Sequence, residues 1–310
     1  MSNKNRMDAI GQIARRIDAL AAVVRAAPPS GALRDAFAAL RLEEVAGSAR
    51  LAGARLDLTE VRALLERGRA LGGHRFEEYL TVRDYAEAAA WAAWAAQQGA
   101  RRTPVGTEDL RTLHRLAVRG LSDDAGAWRT RTVPPLADGT VPPPHWLVPF
   151  ETETYVGRLA LDAEAPAPLA LARAIARLVR LQPFPNGNGR VARLVANLLA
   201  YRRGLPPIVL DARARRGYAA ALRAALAGDA TPLARVVGTA LARGLERIRD
   251  AIEPAGELRP LASFAADGKP DRLYKAAQRG RLRVVRREGR LYTTAPWLAA
   301  YASQRSSDSA

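Results

Sequence analysis

From Gly126 to Phe150 the chain is so rich in Pro, Gly, Thr and Val that helix is not expected there, whereas on both sides apolar residues recur at helical spacing. Any fold must therefore carry one non-helical arm inside a helical body. Within the arm, Trp128-Arg-Thr-Arg-Thr-Val133 reads as a short strand, Asp138-Gly139 as a turn and Thr140-Val141 as a returning arm, which together make a small β-hairpin. The rest is dominated by Ala, Leu and Arg, strong helix formers. The fold class expected is all-α.

Punctuation places the helices. Apolar periodicity runs over 8–26 and 32–46 with Pro28-Pro29 between them, and another helix opens at Leu58 with Thr59 as its expected cap. Residues 76–98, 107–119, 168–180, 189–203, 213–227 and 231–252 follow, and Gly204 with Pro206-Pro207 ends the 189–203 helix. Pro254, Gly256 and Pro260 mark a boundary. The chain thus divides into an N-terminal helical segment (1–46), a core (47–253), a basic module (257–302) and a tail (303–310) read as disordered.

Composition narrows the chemistry. With no cysteine, disulfides and thiolate metal sites are excluded, and three scattered histidines (His74, His114, His145) argue against a histidine zinc site. The formal charge of +17 fits an acidic partner such as nucleic acid or nucleotide, or equally a solvated basic surface. The polar N-terminus lacks a signal-peptide core, and the most apolar window, Ala88 to Ala96, is too short to span a bilayer. A soluble, cytoplasmic chain with no membrane partner is expected.

One loop carries chemistry: Gln182-Pro-Phe-Pro-Asn-Gly-Asn-Gly-Arg-Val-Ala-Arg193. Gly187 and Gly189 allow backbone angles closed to other residues and let a ligand approach the main chain. The loop feeds a helix N-terminus, where unpaired amides and the macrodipole favour anions. Arg190 and Arg193, three apart, share a face, and their planar forks suit phosphate oxygens. The alternative is a capped interhelical turn with two solvated arginines.

These residues resemble the signature of the Fic family, His-x-Phe-x-(Asp/Glu/Asn)-Gly-Asn-Gly-Arg-x-x-Arg, at every position except the histidine, which is Gln182 here. The resemblance extends over about residues 34–250, including Leu113-His114-Arg115-Leu116 and Gly217-Tyr218-Ala-Ala-Ala-Leu222. It implies a helical bundle with a hairpin flap before the loop. It also implies that Gly187, Asn188 and Gly189 form an anion hole, that Arg190 engages the terminal phosphates, and that Arg193 lies behind them. Asn186 would stand where the family places a metal-supporting acid, a weak Mg²⁺ ligand by comparison. Phe184 would pack and fix the loop. Family members transfer a nucleotidyl group, usually AMP from ATP, to a protein hydroxyl.

Two departures bear on activity. An amide at 182 cannot take a proton near neutral pH, whereas a positioned base contributes roughly 10²–10⁴ in rate. No histidine in the chain has an evident claim as a replacement. Many relatives also carry an inhibitory Ser-x-x-x-Glu-Gly helix; the corresponding stretch is Ser48-Ala-Arg-Leu-Ala52-Gly53, so the inhibitory position holds Ala52.

Residues 257–310 contain eleven Lys/Arg and five Asp/Glu. Their expected order of helix, helix, hairpin, helix resembles winged helix-turn-helix modules. That resemblance places Arg272 and Lys275 on a recognition helix, and Arg283, Arg286, Arg287 and Arg290 along a wing that meets double-stranded DNA. A basic subdomain docking on protein is the alternative. Three functional readings follow: a catalytically impaired nucleotide-binding regulator or scaffold coupled to DNA; an active protein nucleotidyltransferase without autoinhibition; and a protein-interaction module in which both sites are relics.

Overall fold

The structure, a computed structural model, describes residues 3–98, 104–136, 138–210, 215–254, 256–265, 270–279, 281–287 and 289–307. Twelve α-helices are described among them: α1 (Asn3–Ala26), α2 (Gly31–Leu51), α3 (Leu58–Arg67), α4 (Phe76–Gln98), α5 (Thr107–Val118), α6 (Val148–Leu161), α7 (Ala167–Leu181), α8 (Asn188–Arg202), α9 (Arg215–Leu226), α10 (Thr231–Ile252), α11 (Asp271–Gln278) and α12 (Ala295–Ser307). Two compact units interleave in sequence, 1–21 with 40–244 and 22–39 with 245–310, their borders falling inside α1, α2 and α10.

The first unit is organised around α8, which packs against α4, α5 and α7. Val191, Ala192, Leu194, Val195, Ala196 and Leu198 are all fully buried, the pattern of a helix enclosed on most sides. Alanines Ala88 and Ala92 of α4, also fully buried, permit close approach of that helix. Because α8 is core, the loop that precedes it is fixed at its C-terminal side. The cap of α3 is Asp57 rather than Thr59. The Asp57 carboxylate accepts from Glu60 N, and Glu60 returns a carboxylate to Asp57 N, a reciprocal box that a hydroxyl two residues later has no geometry to make.

The expected hairpin over 126–150 is corrected. No strand forms there among the described residues, although a turn closes at Gly139, with bonds from Gly139 N to Leu136 O and from Leu136 N to Thr140 O at 2.8 Å each. Pro134, Pro135, Pro142, Pro143 and Pro144 remove donors from both arms, so a ladder cannot propagate. Helix also begins sooner than expected: α6 starts at Val148 with Pro149 in its first turn, a position proline tolerates.

In the second unit, Arg259–Pro260 (β1), Val285–Arg287 (β2) and Arg290–Thr293 (β3) form an antiparallel sheet of order β1-β3-β2. A 3-10 turn at Leu261–Phe264 stands where a first helix was expected, since Arg259 and Pro260 are taken by β3. Leu261, Ala276 and Leu282 form one small core, and Ala251, Val285 and Trp297 another. The tail expected to be disordered begins as helix, because α12 continues to Ser307; residues 308–310, like residues 213 and 214 of the helix expected at 213–227, lie outside the described residues.

Candidate functional site

The loop from Gln182 to Gly187 joins α7 to α8 and is anchored by an aromatic stack. Phe184, fully buried, lies over His114 at 3.9 Å with an interplanar angle of 11° and against Trp128 at 4.9 Å. Stacking of this kind adds about 0.5–1.5 kcal/mol per pair to the burial itself. Asn188 closes the turn: its Oδ1 accepts from Phe184 N at 3.0 Å, and its Nδ2 donates to Phe184 O and to Gln182 Oε1, both at 2.9 Å. Its side chain, 5% exposed, is thus a staple, while its main chain begins α8.

At the start of α8 no side chain caps the helix. Gly187 has φ 67°, and a Cβ there would lie 2.8 Å from Val118 Cγ1 and 3.3 Å from Arg190 Nη2. A Cβ at Gly189 would sit 3.4 Å from Arg193 Nη1. Gly187 is therefore required, by its left-handed backbone and by Val118, whereas at Gly189 a Cβ would only reach ordinary contact with the Arg193 guanidinium. Behind the turn both arginines are tied down. Arg190 Nη1 donates to Ala117 O at 2.9 Å. Arg193, 7% exposed, donates from Nε to Ser48 Oγ at 2.6 Å and from Nη2 to Ser48 O at 3.1 Å. Burial, then the charge of Arg193, push the Arg190 guanidinium below its ordinary pKa.

Gln182 caps α7 in the left-handed region, φ 47°, the one non-glycine residue with positive φ among those described. Its amide is committed at both ends, Nε2 to Val179 O at 2.7 Å and Oε1 to Asn188. Its carbonyl accepts from Arg129 Nε at 2.6 Å. Arg129 also binds Arg131 O at 3.1 Å and Pro143 O, and is 3% exposed. One guanidinium thus ties the arm at 131 and 143 to the loop at 182.

Residues 104–200, from just before α5 to near the end of α8, match the Fic/DOC family. This segment is a Fic/DOC domain. The chain is 29% identical over 207 residues to protein adenylyltransferase fic-1 of Caenorhabditis elegans, covering 66% of this chain and 40% of that protein. It is 28% identical over 240 residues to protein adenylyltransferase Fic of Nematostella vectensis, covering 76% and 53%. The chain thus spans about half or less of the length of these relatives. The solved structure of C. elegans Fic-1 (residues 134–508) superposes with a TM-score of 0.73 at 26% identity, over 81% of this chain and 74% of that one. A Fic domain containing signaling protein from Bacteroides thetaiotaomicron, at TM-score 0.68 and 22% identity over 79% of this chain and 96% of that one, shares the fold.

Two histidines, His114 and His145, lie in the matched segment. His114 is fully buried, and its Nδ1 accepts from Gly126 N at 2.9 Å. Burial, helped by Arg190 and opposed by Asn186, lowers its pKa to about 4. His74, outside the matched segment, binds Glu60 at 3.0 Å. His145 stands beside Thr132 Oγ1 at 3.5 Å and Trp146.

Asn186 is exposed and donates from Nδ2 to Ser122 Oγ at 3.1 Å. Among the described residues no group of three or more His, Cys, Asp or Glu is placed to hold a metal ion. Ala52 lies in the exposed turn after α2 and presents no carboxylate; Arg193 is held one turn earlier, by Ser48. Glu44 and Arg129 escaped the sequence reading of the site, and Ser48 entered it only as the first residue of the stretch resembling the inhibitory helix. No helix among the described residues is long and apolar enough to cross a membrane.

Of the basic residues expected to meet DNA, Arg272, Lys275, Arg283 and Arg290 are exposed. Arg283 pairs with Asp250 at 3.3 Å, Arg286 donates to Gly289 O at 2.9 Å, and Arg287 donates to Ala251 O at 3.5 Å. Arg283 and Arg287 thus reach the last turn of α10, whose acid and carbonyls attract them.

Proposed function

We propose that the Fic/DOC domain binds the polyphosphate of ATP or a related nucleotide, with its Mg²⁺, at Gly187–Arg193, and transfers AMP to protein hydroxyls poorly for want of a base at position 182. One observation carries this reading. The cradle of uncapped amides and two guanidinium groups is intact, whereas the side chain at 182 is an amide with both ends engaged. The relatives named adenylyltransferases supply the nucleotide class. Calorimetric titration of the full chain with ATP and Mg²⁺ tests it. Binding is expected, and Arg190→Ala should weaken it about 10- to 100-fold, the scale of a charge-assisted pair of bonds. Equal affinity in the two proteins would remove the cradle from the account. Position 52 holds alanine in place of the inhibitory glutamate, so the active-enzyme reading is judged by labelled-ATP incorporation into lysate protein by the unaltered chain.

A second reading, DNA binding by residues 257–302, draws on α11, whose Leu273 and Ala276 pack inward while Arg272 and Lys275 face solvent. With these and Arg290 as phosphate contacts, log K for double-stranded DNA should fall with log salt at a slope near −3, and Arg272→Ala with Lys275→Ala should flatten it by about two. A gel shift insensitive to salt would end this reading.

A further inference from the structure

Helices α2 and α8 are joined by two buried polar rungs, one turn apart on each. Ser48 with Arg193 is the first. The second is Glu44 with Asn197: Asn197 Nδ2 donates to Glu44 Oε1 at 2.8 Å, and Tyr85 OH of α4 donates to the same oxygen at 2.5 Å. Asn197 Oδ1 is used in turn by Ile208 N at 2.9 Å. Glu44 is 2% exposed, and no lysine or arginine makes an ion pair with it by contact among the bonds seen. The cation that it feels is Arg193, whose third nitrogen lies at the Gly189 turn. The guanidinium held by Ser48, one turn of α2 from Glu44, is thus the one whose Nη1 reaches the Gly189 turn.

We propose that Glu44 is a built-in counter-anion of the cradle, competing with a bound polyphosphate for the charge of Arg193 and so setting the affinity of the site. The inference rests on the reading of the cradle as a polyphosphate site. A purely structural polar rung would need no acid, because a neutral amide satisfies Tyr85 and Asn197 equally well. An acid does what the amide cannot, which is to change the charge behind the arginines. The groups that face Glu44 set its proton equilibrium: Tyr85 on α4, Arg193, Asn197 and Tyr201 on α8, and Arg41 on its own helix near Tyr201. Burial dominates and raises the carboxyl to about 7, against the opposing pull of Tyr85, Arg193 and Asn197. Below that pH Glu44 is neutral and Arg193 is available to an anion; above it, Glu44 is charged and repels one.

The experiment is a pH series of ATP·Mg²⁺ affinity for the unaltered chain and for Glu44→Gln, which keeps the acceptor and fixes the neutral state. Affinity of the unaltered chain should tighten roughly tenfold from pH 8 to pH 6, the scale of two unit charges about 10 Å apart at the effective dielectric of protein sites. Glu44→Gln should bind at every pH as the unaltered chain does at pH 6, and the ratio of the two affinities cancels any titration of the ligand. Parallel profiles overturn the proposal while leaving the nucleotide reading in place; no binding by either protein at any pH removes both. Should Glu44→Gln not fold, the unaltered chain is titrated with sulfate, whose charge is constant over this range: tightening as pH falls supports the proposal, and a flat profile overturns it.

Discussion

Gln182→His is expected to raise AMP transfer to protein hydroxyls by about 10²–10⁴-fold over the unaltered chain, the contribution of one positioned base. The backbone already suits the change. Residue 182 sits at φ 47°, and histidine is among the side chains that tolerate this region best. The carbonyl is held by Arg129 whatever the side chain. An imidazole whose Nδ1–H takes over the bond that Gln182 Nε2 makes to Val179 O would present Nε2 with a free lone pair. Incorporation of labelled ATP is the measurement, with Gln182→His combined with Arg190→Ala as the silent control. If Gln182→His binds ATP as tightly as its parent and still labels nothing, the missing base is not what limits the site.

The helices were readable because the core is built from their apolar faces. Departures cluster where one element's local signal is weaker than its surroundings. Helix α6 buries Val148, Thr152, Tyr155 and Leu159 at helical spacing, but Thr152 breaks the apolar run, and the helix opens beside Pro142–Pro144 and Pro149 in a stretch that reads as irregular. The hairpin expectation failed for a related reason. Residues 128–133 favour a strand, but prolines deprive their partner arm of donors. Strand β1, two residues long and half proline, has almost no signature, and only its pairing with β3 reveals it.

The site was legible to the extent that it is contiguous. Gly187, Gly189, Arg190 and Arg193 lie within seven residues, and the structure brings both guanidinium groups to the glycine turn. What the sequence hides is the support. Arg129 reaches the Gln182 carbonyl across 53 residues, Ser48 takes Arg193 across 145, and Asn197 meets Glu44 across 153. Two of these use backbone carbonyls, which every residue possesses, so no residue type announces them. A buried arginine satisfied by carbonyls alone looks in sequence like any other in a chain with 48 Lys and Arg. Among the C-terminal arginines, likewise, the partners that Asp250 and the end of α10 give Arg283 and Arg287 have no mark in the sequence.

Asn188→Asp should be the most damaging single-atom change at the loop, and it separates two roles of that residue. The native Nδ2 lies 2.9 Å from two acceptors, Gln182 Oε1 and Phe184 O. A carboxylate has no hydrogen to give either, so both oxygens would face an oxygen in a buried setting, at about 1–3 kcal/mol each. The N-terminus of α8 returns about 0.3–1 kcal/mol to a negative side chain, which is too little to offset that loss. A net destabilisation of about 2–4 kcal/mol is expected, read as a lower urea midpoint at unchanged slope. Anion affinity should fall more than a hundredfold, because the new charge lies among the amides and guanidinium groups that a phosphate would need. Asn188→Ala removes the same hydrogen bonds without adding charge, and should lose comparable stability but less than tenfold in ATP affinity. Equal affinity in Asn188→Asp and Asn188→Ala, both measured well below their unfolding midpoints, would mean that no anion binds where α8 begins.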